Sequence, residues 1–282
     1  MEKSKQQLKI TKFIDHMPSM STTVGKVLQV CSKTNASPNE LCKVISLDPV
    51  LTGQVLKLIN SAYYSLVNQV TSLPRAITML GMNTVKNMAL STAAIALVGH
   101  ARKKSALSME QFWVHSLGVA VAAKMFGGLQ DLDLMQREEL FFAGLLHDLG
   151  KIPFADDYLQ VLELIEEKQI PLIEVEQEVF GITHQYVGEM IAQKWKFNSF
   201  LTDCISHHHD FDHRGCDERI ALVSLADLYI NCMGYGSAGN AYPDLQRRDE
   251  LLVRLGFDWD QLVQMGENVL VEIERAKIFL QV

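Results

Sequence analysis

The chain has 282 residues, 48% of them hydrophobic and 21% charged, which suits one large or two modest folded domains and argues against disorder. A formal charge of −7 argues against general nucleic-acid binding, because such surfaces need a net basic face to release counterions. Five cysteines, odd in number and without CxxC spacing, indicate neither a zinc ribbon nor a disulfide framework and fit a reducing, cytoplasmic setting.

From the N-terminus, "MEKSKQQLKITKF" has no apolar leader core. The run "MALSTAAIALVG" is about half of the roughly 20 residues a membrane span needs, so the chain reads as soluble, with no membrane contact. "STTVGKVLQVCS" is amphipathic at helical spacing. "SPNEL" predicts a helix start, with Ser37 as N-cap, Pro38 at the first position and Glu40 completing a capping box. "LDPVLTGQVLKLIN" repeats the device with Asp48 and Pro49, placing Val55, Leu58 and Ile59 on one face. Asn60, Tyr63 and Tyr64 read as packing between helix and loop before they read as a ligand groove. "NTVKNMALSTAAIALVG" predicts a helix ending near Gly99. No sustained period-two alternation occurs, so the predicted fold class is all-α.

The polar stretch "HARKKSALS" (100–108) is the best internal boundary and predicts two helical units, 1–105 and 106–282. Arg102, Lys103 and Lys104 in it read as a solvated charge run. A loop-rich excursion is expected over 233–250, followed by a last amphipathic helix beginning near Asp258. The many methionines read as core filler.

Seven of the nine histidines follow residue 110, each in or beside a helical apolar run. His115 shares a face with Val119 and Ala122, and Asp227 shares one with Val223 and Ile230. In "CISHHHDF" the spacing from Leu201, Cys204 and Ile205 turns His208 and His209 inward and His207 outward. His184 follows Thr183, a predicted N-cap, and precedes Gly188, which lets a helix or ligand approach closely. His147 and Asp148 in "LLHDLGK" are neighbours, about 100° apart on a regular helix, and Gly150 and Pro153 are expected to end the helix there and let them converge.

A lone inward histidine is more often a satisfied core residue than a ligand, and an isolated His-Asp pair says little. Five separate segments each bringing an inward His or Asp would make a costly core without a metal, so the joint pattern points to a metal site. Imidazoles and carboxylates without thiolate suit Fe, Mn, Zn or Co better than Mg. Two divalent ions against Asp148 and Asp227 leave a charge of about +2, which attracts an anion. With Lys151 adjacent, phosphate is the natural one.

In order, "VHS", "LLHDLGK", "THQYVG", "ISHHHD" and "LAD" resemble the HD superfamily of metal-dependent phosphohydrolases. The first half, above all "LINSAYY" and "AITMLG", resembles the HDOD family of bacterial signalling-output domains within that relationship. The resemblance covers about residues 12–232. It implies an N-terminal HDOD helical bundle packed on a C-terminal HD-like bundle, and a regulatory role in signal transduction, with input from a separate signalling protein partner or a ligand. HDOD domains commonly lack a complete HD metal set, whereas this chain keeps one. "HHHDFDHRGCDE" lacks the Gly-Tyr-Pro motif of HD-GYP enzymes, so their substrate, cyclic di-GMP, is not carried over.

The expected metal ligands are therefore His115, His147, Asp148 and Asp227 for one ion, and His184, His208 and His209 for a second, with Asp148 bridging. Asp148 and Lys151 are the expected catalytic residues. The expected reaction is hydrolysis of a phosphate ester or nucleotide at a mono- or dinuclear site, with one or two ions of Fe, Mn or Zn. The competing readings are a signalling module whose HD residues do no chemistry, and a nucleotide sensor.

Overall fold

Short polar side chains start most of the helices. In the computed structural model, which describes residues 2–17, 21–31, 33, 35–99, 105–210 and 217–281, the first half holds α1 (Glu2–His16), α2 (Thr22–Cys31), α3 (Pro38–Ile45), α4 (Pro49–Ile59), α5 (Leu73–Leu80) and α6 (Met82–Gly99). There follow α7 (Met109–Leu129), α8 (Leu134–Leu146), a 3₁₀ helix (Leu149–Phe154), α9 (Leu159–Lys168), α10 (Leu172–Val179), α11 (His184–Lys194), α12 (Ser199–His207) and α13 (Glu218–Met233). The chain closes with α14 (Leu245–Leu255), α15 (Trp259–Gln264), α16 (Gly266–Ala276) and a second 3₁₀ helix (Lys277–Gln281). The fold is all-α: no strand occurs among the described residues.

Ser37 and Asp48 cap α3 and α4, accepting from Glu40 N at 3.2 Å and Leu51 N at 3.0 Å. Of the capping box expected at Ser37, the structure shows this half; the Glu40 carboxylate lies 3.7 Å from Lys33 Nζ. A complete box starts α8, where Asp133 and Gln136 bond each other's backbone at 2.8 and 3.1 Å.

α7 and α13 lie at the centre, buried on nearly every side, and pack on each other and on α8. α7 is long and apolar enough to cross a membrane by length and composition, yet 72% of that stretch is buried inside the fold. "MALSTAAIALVG" is thus not the nearest approach to a span. α7 and α8 cross closely because Gly144 lacks a side chain: a Cβ there would lie 2.7 Å from Ala120 Cα.

The two halves are joined through α6 against α8 and through a polar knot under the "NSAYY" turn. Asn60 holds Val70 by two bonds of 2.7 Å, Tyr64 donates to Glu138 at 3.1 Å, and Lys124 reaches both Tyr63 Oη at 2.8 Å and Glu138 at 2.5 Å. These residues are packing elements. Phe279 from the last turn stacks its edge on Tyr63 and packs on Phe141. α1, on the N-terminal side of the boundary expected at 100–108, packs on α11 and the first 3₁₀ helix, with Lys9 2.5 Å from Asp157 and Lys194 donating to Asp15 O at 3.1 Å.

Two expectations need correction. The excursion over 233–250 ends sooner, because Asp244 caps α14 by accepting from Arg247 N at 3.0 Å. The last amphipathic helix begins at Trp259, near Asp258 as expected and capped by it, but is two helices that break at Met265. Arg102, Lys103 and Lys104 and the segment 211–216 lie outside the described residues. No disulfide joins the described cysteines Cys31, Cys42, Cys204 and Cys232.

Candidate metal centre

α8 ends at Leu146, before Gly150 and Pro153, so those residues do not terminate it as expected. His147 is the C-cap, and Asp148, at φ −94° and ψ 10°, starts the tighter 3₁₀ helix that contains both Gly150 and Pro153. The change of winding brings the neighbours together, with His147 Nε2 3.2 Å from Asp148 Oδ2. Residues three apart eclipse on a 3₁₀ helix, and Lys151 Nζ accordingly donates to Asp148 Oδ2 at 2.7 Å. Gly150 has a second role. A methyl group there would overlap the His184 carbonyl oxygen and lie 2.5 Å from Gly188 N, so this glycine lets the turn press against α11.

Two donor groups converge on Asp148 from opposite sides. On one, α7 supplies His115 and α13 supplies Asp227: His115 Nε2 lies 3.0 Å from Asp227 Oδ1 and 3.8 Å from Asp148 Oδ2, and His147 Nε2 lies 3.6 Å from Asp227 Oδ1. On the other, His184 Nε2 and His208 Nε2 lie 3.4 and 3.6 Å from Asp148 Oδ1 and 3.2 Å from each other. The His209 ring centroid is 4.2 Å from that of His208 and 5.1 Å from that of His184. Within each group, His115, His147 and Asp148 or His184, His208 and His209, single ligand atoms lie within 4.8 Å of one another. The structure thus brings all seven predicted ligands and Lys151 to one place.

The centre is sealed: His115, His147 and His184 are 0% exposed, Asp148 and His208 1%, Lys151 2% and Asp227 3%. His209 is half-buried, though its Nε2 is covered, and His207, expected to point outward, is also half-buried.

Burial disfavours the Asp148 carboxylate, but His147 and Lys151 outweigh this and hold its pKa well below the usual range. Asp227 follows the same logic, with burial overcome by His115 and His147. Burial disfavours the charged His147 ring, yet Asp148 and Asp227 raise its pKa to about 10. His208 is lowered to about 4 by burial and by His147 and His184, and His209 falls well below 6.5 by burial and its neighbouring histidines.

These residues fit a metal. His115 Nε2, His147 Nε2, Asp148 Oδ1 and His209 Nε2 are buried without a hydrogen-bond partner, a costly condition for a core that is polar for structural reasons alone. His115 Nε2 lies 3.0 Å from Asp227 Oδ1 and 3.8 Å from Asp148 Oδ2, separations that bracket the roughly 3.4 Å between donors that share one tetrahedral ion at about 2.1 Å. The set is one of imidazole and carboxylate donors without thiolate, and it could hold a metal ion.

Residues 17–211 match the HDOD domain family, more than half of the chain. The chain belongs to the HDOD family. An HDOD domain protein of unknown function from Geobacter sulfurreducens is 25% identical and superposes with a TM-score of 0.72 over 98% of this chain and 97% of that one. A Shewanella amazonensis protein with the provisional name metal-dependent phosphohydrolase shares the fold at TM-score 0.68 and 19% identity, over 99% of each chain. So does a Marinobacter aquaeolei protein provisionally named for signal transduction, at TM-score 0.71 and 17% identity, over 100% of this chain and 66% of that one. An uncharacterized protein of Treponema pallidum is 23% identical over 230 residues, 77% of this chain, and the match spans 42% of that curated relative's length.

Three residues around the HDOD centre escape a motif reading. Asn231 donates to Asp227 Oδ1 at 2.8 Å from one turn further along α13. Glu176 accepts from His184 Nδ1 at 2.7 Å, and Tyr158 donates to Glu176. A signal for Glu176 existed: it shares the buried face of α10 with Leu172 and Val175, where a carboxylate needs a partner.

Proposed function

We propose that this HDOD protein is a metal-dependent phosphohydrolase that cleaves a phosphate ester, a nucleotide included, in cytoplasmic signal transduction with a protein partner. The observation that carries the reading is the position of Asp148, whose two oxygens face the two donor groups separately. His115, His147, Asp148 and Asp227 would hold one ion, and His184, His208 and His209 a second, with Asp148 between them. A bound divalent ion supplies Lewis acidity, polarising a phosphoryl oxygen and lowering the pKa of water toward about 7. Lys151, bonded to Asp148 at 2.7 Å, would leave that carboxylate and donate to a phosphoryl oxygen, a point charge beside developing negative charge. The neutral His208 and His209 keep lone pairs available for a cation. The names of the Shewanella and Marinobacter proteins agree with the two halves of this reading.

One observation favours a second reading, a regulatory module that holds metal without turnover: the ligands of the first group are at most 3% exposed. Elemental analysis and a hydrolysis panel separate the two. The enzyme reading predicts bound Fe, Mn or Zn, lost in His147→Ala and Asp148→Ala, and turnover of phosphoesters or nucleotides that Lys151→Met reduces with metal retained. Bound metal without turnover on any panel member selects the regulatory module. No metal in folded, reconstituted protein overturns both.

A further inference from the structure

Three imidazoles of the centre have Nδ1 pinned from behind, and one is pinned differently. His147 Nδ1 donates to Gly144 O at 2.7 Å and His208 Nδ1 to Ile205 O at 3.0 Å, both main-chain acceptors from the preceding turn. His184 Nδ1 donates at 2.7 Å to the carboxylate of Glu176, eight residues away on another helix. The same oxygen, Oε2, accepts the His184 backbone N–H at 2.8 Å, while Oε1 accepts the Tyr158 hydroxyl. Glu176, His184 and Tyr158 are all 0% exposed. Stacked Phe154 and Phe180 rings, centroids 4.5 Å apart, pack beside Tyr158 and keep water from competing for the carboxylate.

A helix cap does not require this arrangement. α11 already has Thr183 as its N-cap, and one acceptor for the His184 N–H would complete the turn. The additional bond to the ring selects a tautomer. A carboxylate behind an imidazole fixes the ring's orientation and makes its other nitrogen a stronger donor to a metal.

We infer that Glu176 is a positioning residue for the second donor group: it holds the His184 proton on Nδ1 and aims the bare Nε2 at the space shared with His208 and Asp148, while Tyr158 fixes the carboxylate. The purpose of this arrangement rests on the proposed metal-binding reading, but the tautomer does not. Glu176 touches neither substrate nor ion, so its effect passes entirely through His184.

The test uses the full chain, with cobalt(II) as the probe and ¹⁵N-histidine NMR of the metal-free protein. In the wild type, His184 is expected as the Nδ1–H tautomer and two cobalt equivalents bind. Glu176→Leu is expected to abolish the tautomer preference and weaken one equivalent about 10- to 100-fold while leaving the other unchanged. Glu176→Gln, which keeps an acceptor, is expected to restore the tautomer and part of the affinity. Tyr158→Phe is expected to shift the same equivalent by less. A purely structural Glu176 would lower thermal stability in EDTA and move neither readout, and that outcome in Glu176→Leu overturns the inference. If Glu176→Leu does not fold, Glu176→Gln with wild-type affinity for both equivalents overturns it. A folded wild type that binds no cobalt defeats the metal reading alone; mixed His184 tautomers in that protein defeat this inference.

Discussion

Asp148 is flanked by two groups of imidazoles, with one oxygen toward each, and by a buried lysine. Its substitution therefore does two separable things. Asp148→Asn removes the carboxylate common to both groups and strands the Lys151 ammonium in a sealed core, and breaking a buried pair in this way costs about 3–5 kcal/mol. Adding Lys151→Met should restore most of that stability in urea unfolding while leaving metal binding lost. Failure of the second change to restore stability would separate Lys151 from Asp148 energetically. The metal-free protein should also show opposed pH limbs. His147, raised from 6.5 to about 10, contributes stability that is complete below 6.5 and lost as pH rises toward 10. His208, lowered from 6.5 to about 4, stays neutral in the fold, so its contribution is lost as pH falls from 6.5 toward 4. In EDTA, urea midpoints of the wild type relative to His208→Asn should therefore fall between pH 6.5 and 4; a constant difference across that window contradicts the assignment.

The turn after α8 decides whether these side chains meet. A regular helix through His147 and Asp148 would splay them by about 100°. The sequence suggested a break here through Gly150 and Pro153, but the break lies earlier, and a 3₁₀ helix is built from the very residues expected to stop the helix. What Gly150 provides is contact with α11, which no local pattern reveals because its partner is 34 residues away. Gly150→Ala should push the turn away from His184, destabilise the protein by about 1–3 kcal/mol and weaken metal binding; calorimetry showing unchanged binding would assign Gly150 to packing alone. The helix starts at Ser37 and Asp48 were readable because a cap is local chemistry. The facing arguments for His115 and Asp227 had weaker grounds, since α7 and α13 are buried on nearly every side and give little facial contrast. Glu176 and Tyr158 belong to no motif, and only the meeting of α9, α10 and α11 shows why they are buried together.

Taken together, the helices place residues spanning positions 115 to 227 around one carboxylate. The all-α class was readable from periodicity along the whole chain. The assembly of the halves was not, because it depends on distant contacts such as Phe279 on Tyr63 and α1 on α11. The proposed function stands or falls on Asp148 lying between two metal positions. An anomalous-difference map from crystals of the full chain grown with manganese(II) tests it directly. Two peaks are expected flanking Asp148, one among His115, His147 and Asp227 and one among His184, His208 and His209, with Lys151 displaced from Oδ2. A map without peaks, with Lys151 still bonded to Asp148, would contradict it.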